Sequence, residues 1–325
     1  MPYDDIIVPE LLPPSEDGVF RTLMCHPEAK PVLRDVVESY LRFPVVSVQL
    51  RNAELPISDI GEKRERFDVC CTADDGSQLD VEMQSEAMSG DSLGTNHRII
   101  KSRAVYNLCD LHSGQAGRGV RYDLLMRSFQ ITFCGYTVFP ERDGFVSRFS
   151  FRDENGVELS DAVGIIFAEL TKLGDVMKKP VKAMTGEEVW ACFLAFGSDP
   201  KHLDLIDRLC TAKGEIKMAR DLLQSISQNE DERTRFRMRR KFQMDLDHNL
   251  IASRDEGFAE GLAEGEAKGL AEGEAKGRAE GALKRANAIA RKMLEANMPV
   301  DTIAKITGLT REEVETLPNA LETEV

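Results

Sequence analysis

The chain has 325 residues, 42% of them hydrophobic and 30% charged, with a formal net charge of −14. That length allows one sizeable core with an appendage, or two modest domains, and the composition is that of a folded protein. The acidity argues against a protein that coats nucleic acid or an anionic membrane, yet it leaves room for one groove whose field is set by a metal.

No run approaches 18 apolar residues, so no membrane span is expected. The start, MPYDDIIVPELLPPSEDG, is acidic and proline-rich and lacks the basic and then apolar course of a signal peptide. Residues 1–18 read as a loose leader, and a cytoplasmic location is expected. The cysteines at 25, 70, 71, 109, 134, 192 and 210 form no CxxC pair, which removes the usual zinc and redox readings.

From Val19 to Leu41 the apolar positions fall at helical spacing with a break at His26-Pro27, predicting two short helices. Val45, Val46, Val48 and Leu50 suggest a first strand. RFDVCCT and QLDVEMQ are both strand-like, and ADDGS between them carries the Asp-Gly signal of a hairpin. Side chains alternate across a strand, so Asp68 shares a face with Cys70, and Asp80 with Glu82 and Gln84. Leu79, Val81 and Met83 then point the other way, which predicts a half-exposed strand whose polar side lines something.

Arg98 to Leu111 reads as a helix, FQITFCGYTVF as strand, and the stretch around Asp153–Gly156 as another hairpin. Residues 161–250 look predominantly helical, with an apolar cluster at Trp190, Phe193, Leu194 and Phe196. From Glu256 a tetrad repeat places glycine at every fourth residue from Gly257 to Gly281. Each interior glycine costs ~1 kcal/mol relative to alanine, so this segment reads as a semi-rigid linker or as a close-packing stripe for self-association. The last stretch, MPVDTIAKITGLTREEVETL, has the short helix, Gly308 turn and Thr-capped second helix of a helix-turn-helix. Its second helix, TREEVETL, would present carboxylates to phosphates, so it reads better as a packing or oligomerisation unit than as a DNA reader.

Hydrolysis of a phosphodiester needs a divalent cation that polarises the phosphoryl oxygen and lowers the pKa of the attacking water. Magnesium takes one or two carboxylates, with water and substrate phosphate completing its shell. An Asp on one strand and a Glu on its neighbour meet that requirement, with a third polar residue two positions on beside the water. Here Asp68 is followed by Glu82 and Gln84, a D-x13-E-x-Q pattern. By spacing alone, a solvated hairpin face is the better reading.

The text around the pattern carries more. DGVFRTLMCHPEAKPVLRDVVESYL, RFDVCCTADDGSQLDVEMQ, RIIKSRAVY, GVRYDLL with FQITFCGYTVF, and FRDENGVELSDAVGIIFAELTKL resemble the Rpn-like recombination-promoting nucleases, also described as PD-(D/E)XK nuclease family transposases. The resemblance spans most of residues 17–320, and its more specific parts are the E-M-Q ending and the FRxL…EAKPVL opening. It implies an α/β fold: a restriction-endonuclease-like core with a central mixed sheet flanked by helices, then a helical extension and a glycine-repeat helical tail. The expected divisions are 1–18 leader, 19–160 nuclease core, 161–254 helical extension, 255–282 tetrad repeat and 283–325 helix-turn-helix-like helices.

The same resemblance implies that Asp68 and Glu82 bind Mg²⁺, for which Mn²⁺ or Ca²⁺ substitutes in binding, and that Gln84 replaces the usual lysine. Glutamine takes no proton at neutral pH, so it can only orient the water. Asp80 reads equally as a third ligand or as a solvent-facing residue. Glu28 matches an acidic family position and reads as an outer carboxylate or as a surface residue; Arg98 and Ser102, four apart on one helix, match the family's pattern, for phosphate contact or, at Arg98, a structural ion pair. The run ERTRFRMRRK (232–241) reads as a solvated face more readily than as a DNA strip. The five histidines show no ligand spacing and are expected to be non-catalytic. The expected activity is an Mg²⁺-dependent endonuclease on double-stranded DNA with little sequence preference, tied to recombination or mobile elements in a bacterial cytoplasm. The expected assembly is a homo-oligomer through the helical C-terminal region. The alternative is an inactive nuclease-fold scaffold that self-associates through its tail.

Overall fold

The computed structural model describes residues 9–51, 68–85, 93–117 and 119–317, in two compact units, Met1–Leu250 and Ile251–Val325. Helices α1 (Asp17–Met24) and α2 (Lys30–Leu41) open the first unit, separated by a single turn at Pro27–Ala29 where proline bars helix continuation. Strands β1 (Val48–Leu50), β2 (Val69–Ala73) and β3 (Gln78–Gln84) pair antiparallel in succession. The β2–β3 turn holds Gly76 at φ +86, a conformation that favours glycine, and the Asp75 carboxylate accepts from the Ser77 N–H at 2.9 Å.

Helix α3 (Leu93–Ser113) then crosses over to β4 (Ser128–Cys134), which runs parallel to β3. A hairpin of β5 (Val146–Arg152) and β6 (Glu158–Glu169) completes a six-stranded mixed sheet in the order β1-β2-β3-β4-β6-β5, with β4 and β6 parallel. β6 carries the sheet across residue 160, where the sequence suggested helix. Val163, Ile165 and Phe167 alternate with Gly164, Ile166 and Ala168, so both faces of the strand are apolar, and two-sided burial hides the period-2 signal.

Beyond the sheet come α4 (Gly186–Phe196), α5 (Leu203–Ala212), α6 (Gly214–Gln228) and α7 (Glu230–Glu295). One face of the sheet packs on α1, α2, α4 and α6 in a single core that includes Phe20, Leu33, Tyr40, Val81, Met83, Phe133 and Trp190. The Trp190 indole N–H donates to the Asp35 carboxylate at 2.7 Å, and Lys213 Nζ stands 2.6 Å from the same oxygen, so the buried acid is paired. Glu187, at the first turn of α4, accepts from Arg42 and Arg148 and binds the extension to the sheet.

Residues 11–16 are not a loose leader. Leu12 is fully buried with its N–H on Ser227 Oγ, and Glu16 caps α1 by accepting from the Val19 N–H. The basic run on α7 serves packing here. Arg239 binds the Glu16 carboxylate, Arg233 the Pro9 carbonyl, and Arg235 and Arg237 pair with Glu232 and Glu230.

In the second unit α7 carries the glycine repeat, and a Cβ built on any of Gly257 to Gly281 would meet nothing within 4 Å. The last turns of α7, α8 (Val300–Thr307) and α9 (Arg311–Glu315) close a small core of Ala290, Ile303, Leu309 and Val314. Gly308 ends α8 at φ +75, and Thr310 with Glu313 forms a capping box at the start of α9. No helix among the described residues is long and apolar enough to cross a membrane.

Candidate active site

β3 is an interior strand, and its alternation sorts its side chains between two covers. Leu79, Val81 and Met83 enter the main core, while Asp80 and Glu82 lie under α3, which packs on β3, β4 and β6. Both acids are wholly buried, so the half-exposed strand expected from the sequence is corrected: the polar face is roofed by α3. The β2–β3 ladder pairs Cys70 with Asp80 and Val69 with Val81, and one further step sets Asp68 opposite Glu82 on the same face. Asp68 Oδ2 accepts from the Met83 N–H at 3.2 Å.

The row extends onto β4, where Gln130 is in register with Asp80 and Thr132 with Glu82, both fully buried. Among the described residues, both Asp80 oxygens, Glu82 Oε2, both ends of the Gln130 amide and Thr132 Oγ1 have no hydrogen-bond partner. Buried polar atoms without partners are rare, and a concentration of them calls for an explanation such as a bound water, an ion or a functional role.

From the roof, Asn107 Nδ2 donates to Glu82 Oε1 at 2.8 Å, and Arg103 stands 3.6 Å from the same oxygen and 3.5 Å from Gln84 Oε1. From α1, Asp17 Oδ1 accepts from the Ser85 N–H at 2.9 Å. Burial raises the Asp68 carboxyl to about 7, with the Glu82 and Asp17 charges adding to it and the Met83 N–H and Arg103 opposing. Burial also holds Asp80 well above the usual carboxylate range, with Glu82 and Asp68 adding. Glu82 is raised by burial too, against the pull of Arg103 and Asn107. Asp80 and Glu82 can hydrogen-bond each other only if they share a proton, and a bound divalent cation would remove that need.

Among the described residues no group of three His, Cys, Asp or Glu side chains is placed to hold a metal ion together. The set that is present, carboxylate oxygens with an amide and a hydroxyl, is hard and oxygen-only. It fits a small divalent cation that keeps part of its shell for water and phosphate.

The structure therefore brings Asp68, Asp80, Glu82 and Gln84 to one patch of the sheet. It does not bring Glu28, which is exposed on the Pro27–Ala29 turn with its N–H on His26. Arg98 and Ser102 are exposed on the outer side of α3, and Arg103 and Asn107 reach the carboxylates instead. Asn107 was detectable as the one polar residue in the buried stripe Ile100, Ala104, Leu108, Leu111, and Arg103 lies one turn before it. Asp17 fell within the span read as leader and gave no such signal.

The α9 surface carries Arg311, Glu312, Glu313 and Glu315, all exposed, with Arg311 bonded to Glu315 and Asp301. No curated protein and no solved structure matches the chain. A family model described as "Rpn/YhgA-like nuclease family, C-terminal HTH domain" matches residues 283–319. A second, described as "PD-(D/E)XK nuclease family transposase", matches residues 14–253, which takes in the sheet, its acids, α3 and the helical extension. With most of its length matched in this way, the chain belongs to the PD-(D/E)XK nuclease family transposases.

Proposed function

We propose that the protein is a divalent-metal-dependent endonuclease that hydrolyses phosphodiester bonds of double-stranded DNA with little sequence preference. The observation that carries this reading is the meeting of Asp68, Asp80 and Glu82 on one face of the sheet, where both Asp80 oxygens and Glu82 Oε2 are buried with no donor among the described residues. Asp68 and Glu82 would hold Mg²⁺, with Asp80 beside them, and Mn²⁺ or Ca²⁺ would bind in its place. When bound, the ion supplies Lewis-acid activation of the phosphoryl group and of the attacking water.

The chain's own groups do the positioning. Asn107 fixes Glu82 through Oε1, which presents Oε2 inward. Gln84, which neither gains nor loses a proton near neutral pH, orients the water by hydrogen bonds. Arg103, half exposed above Glu82, places a guanidinium where the scissile phosphate arrives. Arg98 and Ser102 would meet phosphates farther along the duplex from the outer side of α3. Little sequence preference accords with α9, whose exposed acids disfavour groove reading. Self-association would run through the helical C-terminal region.

Plasmid nicking with Mg²⁺, compared between wild type and Asp68→Ala, tests the reading. Wild-type nicking abolished in the variant is expected. Equal nicking by both across several metals would favour the inactive scaffold.

A further inference from the structure

β4 and β6 set what lies beside the acids across the sheet. Asp80 is in register with Gln130 and Gln130 with Ile165; two residues on, Glu82 is in register with Thr132 and Thr132 with Phe167. Neighbouring strands lie ~4.8 Å apart, so the amide and the hydroxyl each have an acid on one flank and hydrocarbon on the other. From α3, Ile100, Ala104 and Leu108 close the apolar flank by packing with Ile165 and Phe167.

Gln130 and Thr132 are wholly buried, and among the described residues neither the Gln130 amide nor Thr132 Oγ1 has a hydrogen-bond partner. A polar side chain buried in that condition costs stability that an apolar residue of the same size would not. Across the sheet, the polar neighbours that register gives them are Asp80 and Glu82, and both Asp80 oxygens and Glu82 Oε2 are unpartnered too. Because no three His, Cys, Asp or Glu side chains among the described residues are placed to hold an ion together, the acids need oxygens of another kind.

We infer that β4 takes part in holding the divalent cation, with Gln130 Oε1 and Thr132 Oγ1 as neutral oxygen donors toward the ion that the acids bind. This rests on the proposed reading that the acids bind a divalent cation. Asp68, Asp80 and Glu82, when ionised, already exceed the charge of such an ion, so any further buried oxygen has to be neutral to avoid uncompensated charge. Amide carbonyls are ordinary ligands of hard cations, and a hydroxyl oxygen keeps lone pairs for one. Gln130 has a second use, because its amide N–H groups can donate to a carboxylate oxygen while Oε1 serves the ion. An amide and a hydroxyl in the middle of an otherwise apolar flank are then part of the ion's surroundings, not a defect of the core.

The test uses the full chain stripped of metal with EDTA and dialysed, with no DNA present. Mn²⁺ binding is followed by the electron paramagnetic resonance signal of the free ion, and the metal-free melting temperature is read beside it. Gln130→Met and Thr132→Val remove the oxygen donors at nearly constant shape. Each is expected to weaken Mn²⁺ binding by roughly tenfold or more. The metal-free melting temperature should hold or rise in both, because an unpartnered buried polar group is gone. Gln130→Glu should do the reverse, binding Mn²⁺ more tightly while its metal-free form melts lower, since a fourth acid joins the row. Thr132→Ser, which keeps the hydroxyl, should bind within about threefold of wild type. Mn²⁺ affinity within about threefold of wild type in both Gln130→Met and Thr132→Val overturns the inference and leaves the nuclease reading standing. A loss that Gln130→Glu and Thr132→Ser share overturns it as well, as damage to the core. Failure of the wild-type chain to bind Mn²⁺ overturns both the inference and the metal-dependent reading.

Discussion

The Asn107 amide donates to Glu82 Oε1 at 2.8 Å across the gap between α3 and the sheet, and both side chains are buried. Removing that donor in Asn107→Ala leaves a buried carboxylate oxygen short of its partner. A loss of about 1–3 kcal/mol in stability is expected, read by urea denaturation. If Glu82 holds the metal as proposed, a fall of roughly 10–100-fold in nicking rate should accompany it, because its carboxylate loses the group that orients it. Unchanged rate and midpoint would show that Asn107 is a bystander.

The acids should make the metal-free protein less stable as pH rises. Asp68 is raised from the ordinary 3.8 to about 7, so the stability it contributes is complete below about pH 4 and lost as pH climbs through about 7. In EDTA the melting temperature should fall between pH 5 and pH 8, and Mg²⁺ should restore it at pH 8. A melting temperature that rises over this range would contradict the assignment.

Asp80→Asn separates fold from function. The substitution nearly preserves shape, removes one of three crowded acids and supplies a donor to a neighbourhood of unpartnered acceptors. At pH 8 in EDTA the variant should gain about 1–2 kcal/mol, while Mg²⁺-dependent stabilisation and nicking both drop. A less stable variant would mean that Asp80 is already compensated without metal.

Two arginines on α3 make opposed predictions. Arg103→Ala, which removes the guanidinium beside Glu82, should lower kcat/KM by roughly 100-fold. Arg98→Ala, exposed on the outer side, should lower it by less than about threefold through loss of a solvent-screened phosphate contact. Steady-state nicking by both variants decides between them.

In the tail, Gly265→Ala, Gly269→Ala and Gly273→Ala each add a methyl group into open space. Each should favour the helix by ~1 kcal/mol, raising the ellipticity at 222 nm without changing the mass in light scattering. A fall in mass would show instead that the glycine stripe packs against a second copy.

Much of the sheet was legible because its hairpins announce themselves. The Asp-Gly turn between β2 and β3 and the Asp153–Gly156 turn between β5 and β6 both stand where the sequence placed them. β6 was not, because a strand apolar on both faces carries no alternation. The site divided the same way. Asp68, Asp80, Glu82 and Gln84 share a local hairpin, and strand parity alone gathers them. Arg103 and Asn107 meet them only through the packing of α3, and Asp17 only through the fold of the N-terminal helix, which no spacing within the hairpin encodes. Register across β4 likewise brings Gln130 and Thr132 to Asp80 and Glu82 from fifty residues away.

The placement of β6 between β4 and β5 has a bearing on how this protein can be shortened. A chain cut near residue 160 would lose the strand that joins β5 to the rest, and with it Trp190, Leu194 and the α6 face that Val36 and Tyr40 rest on. The strands that carry the acids and the helices beyond residue 160 therefore share one core, and a fragment ending there would leave the sheet half-covered.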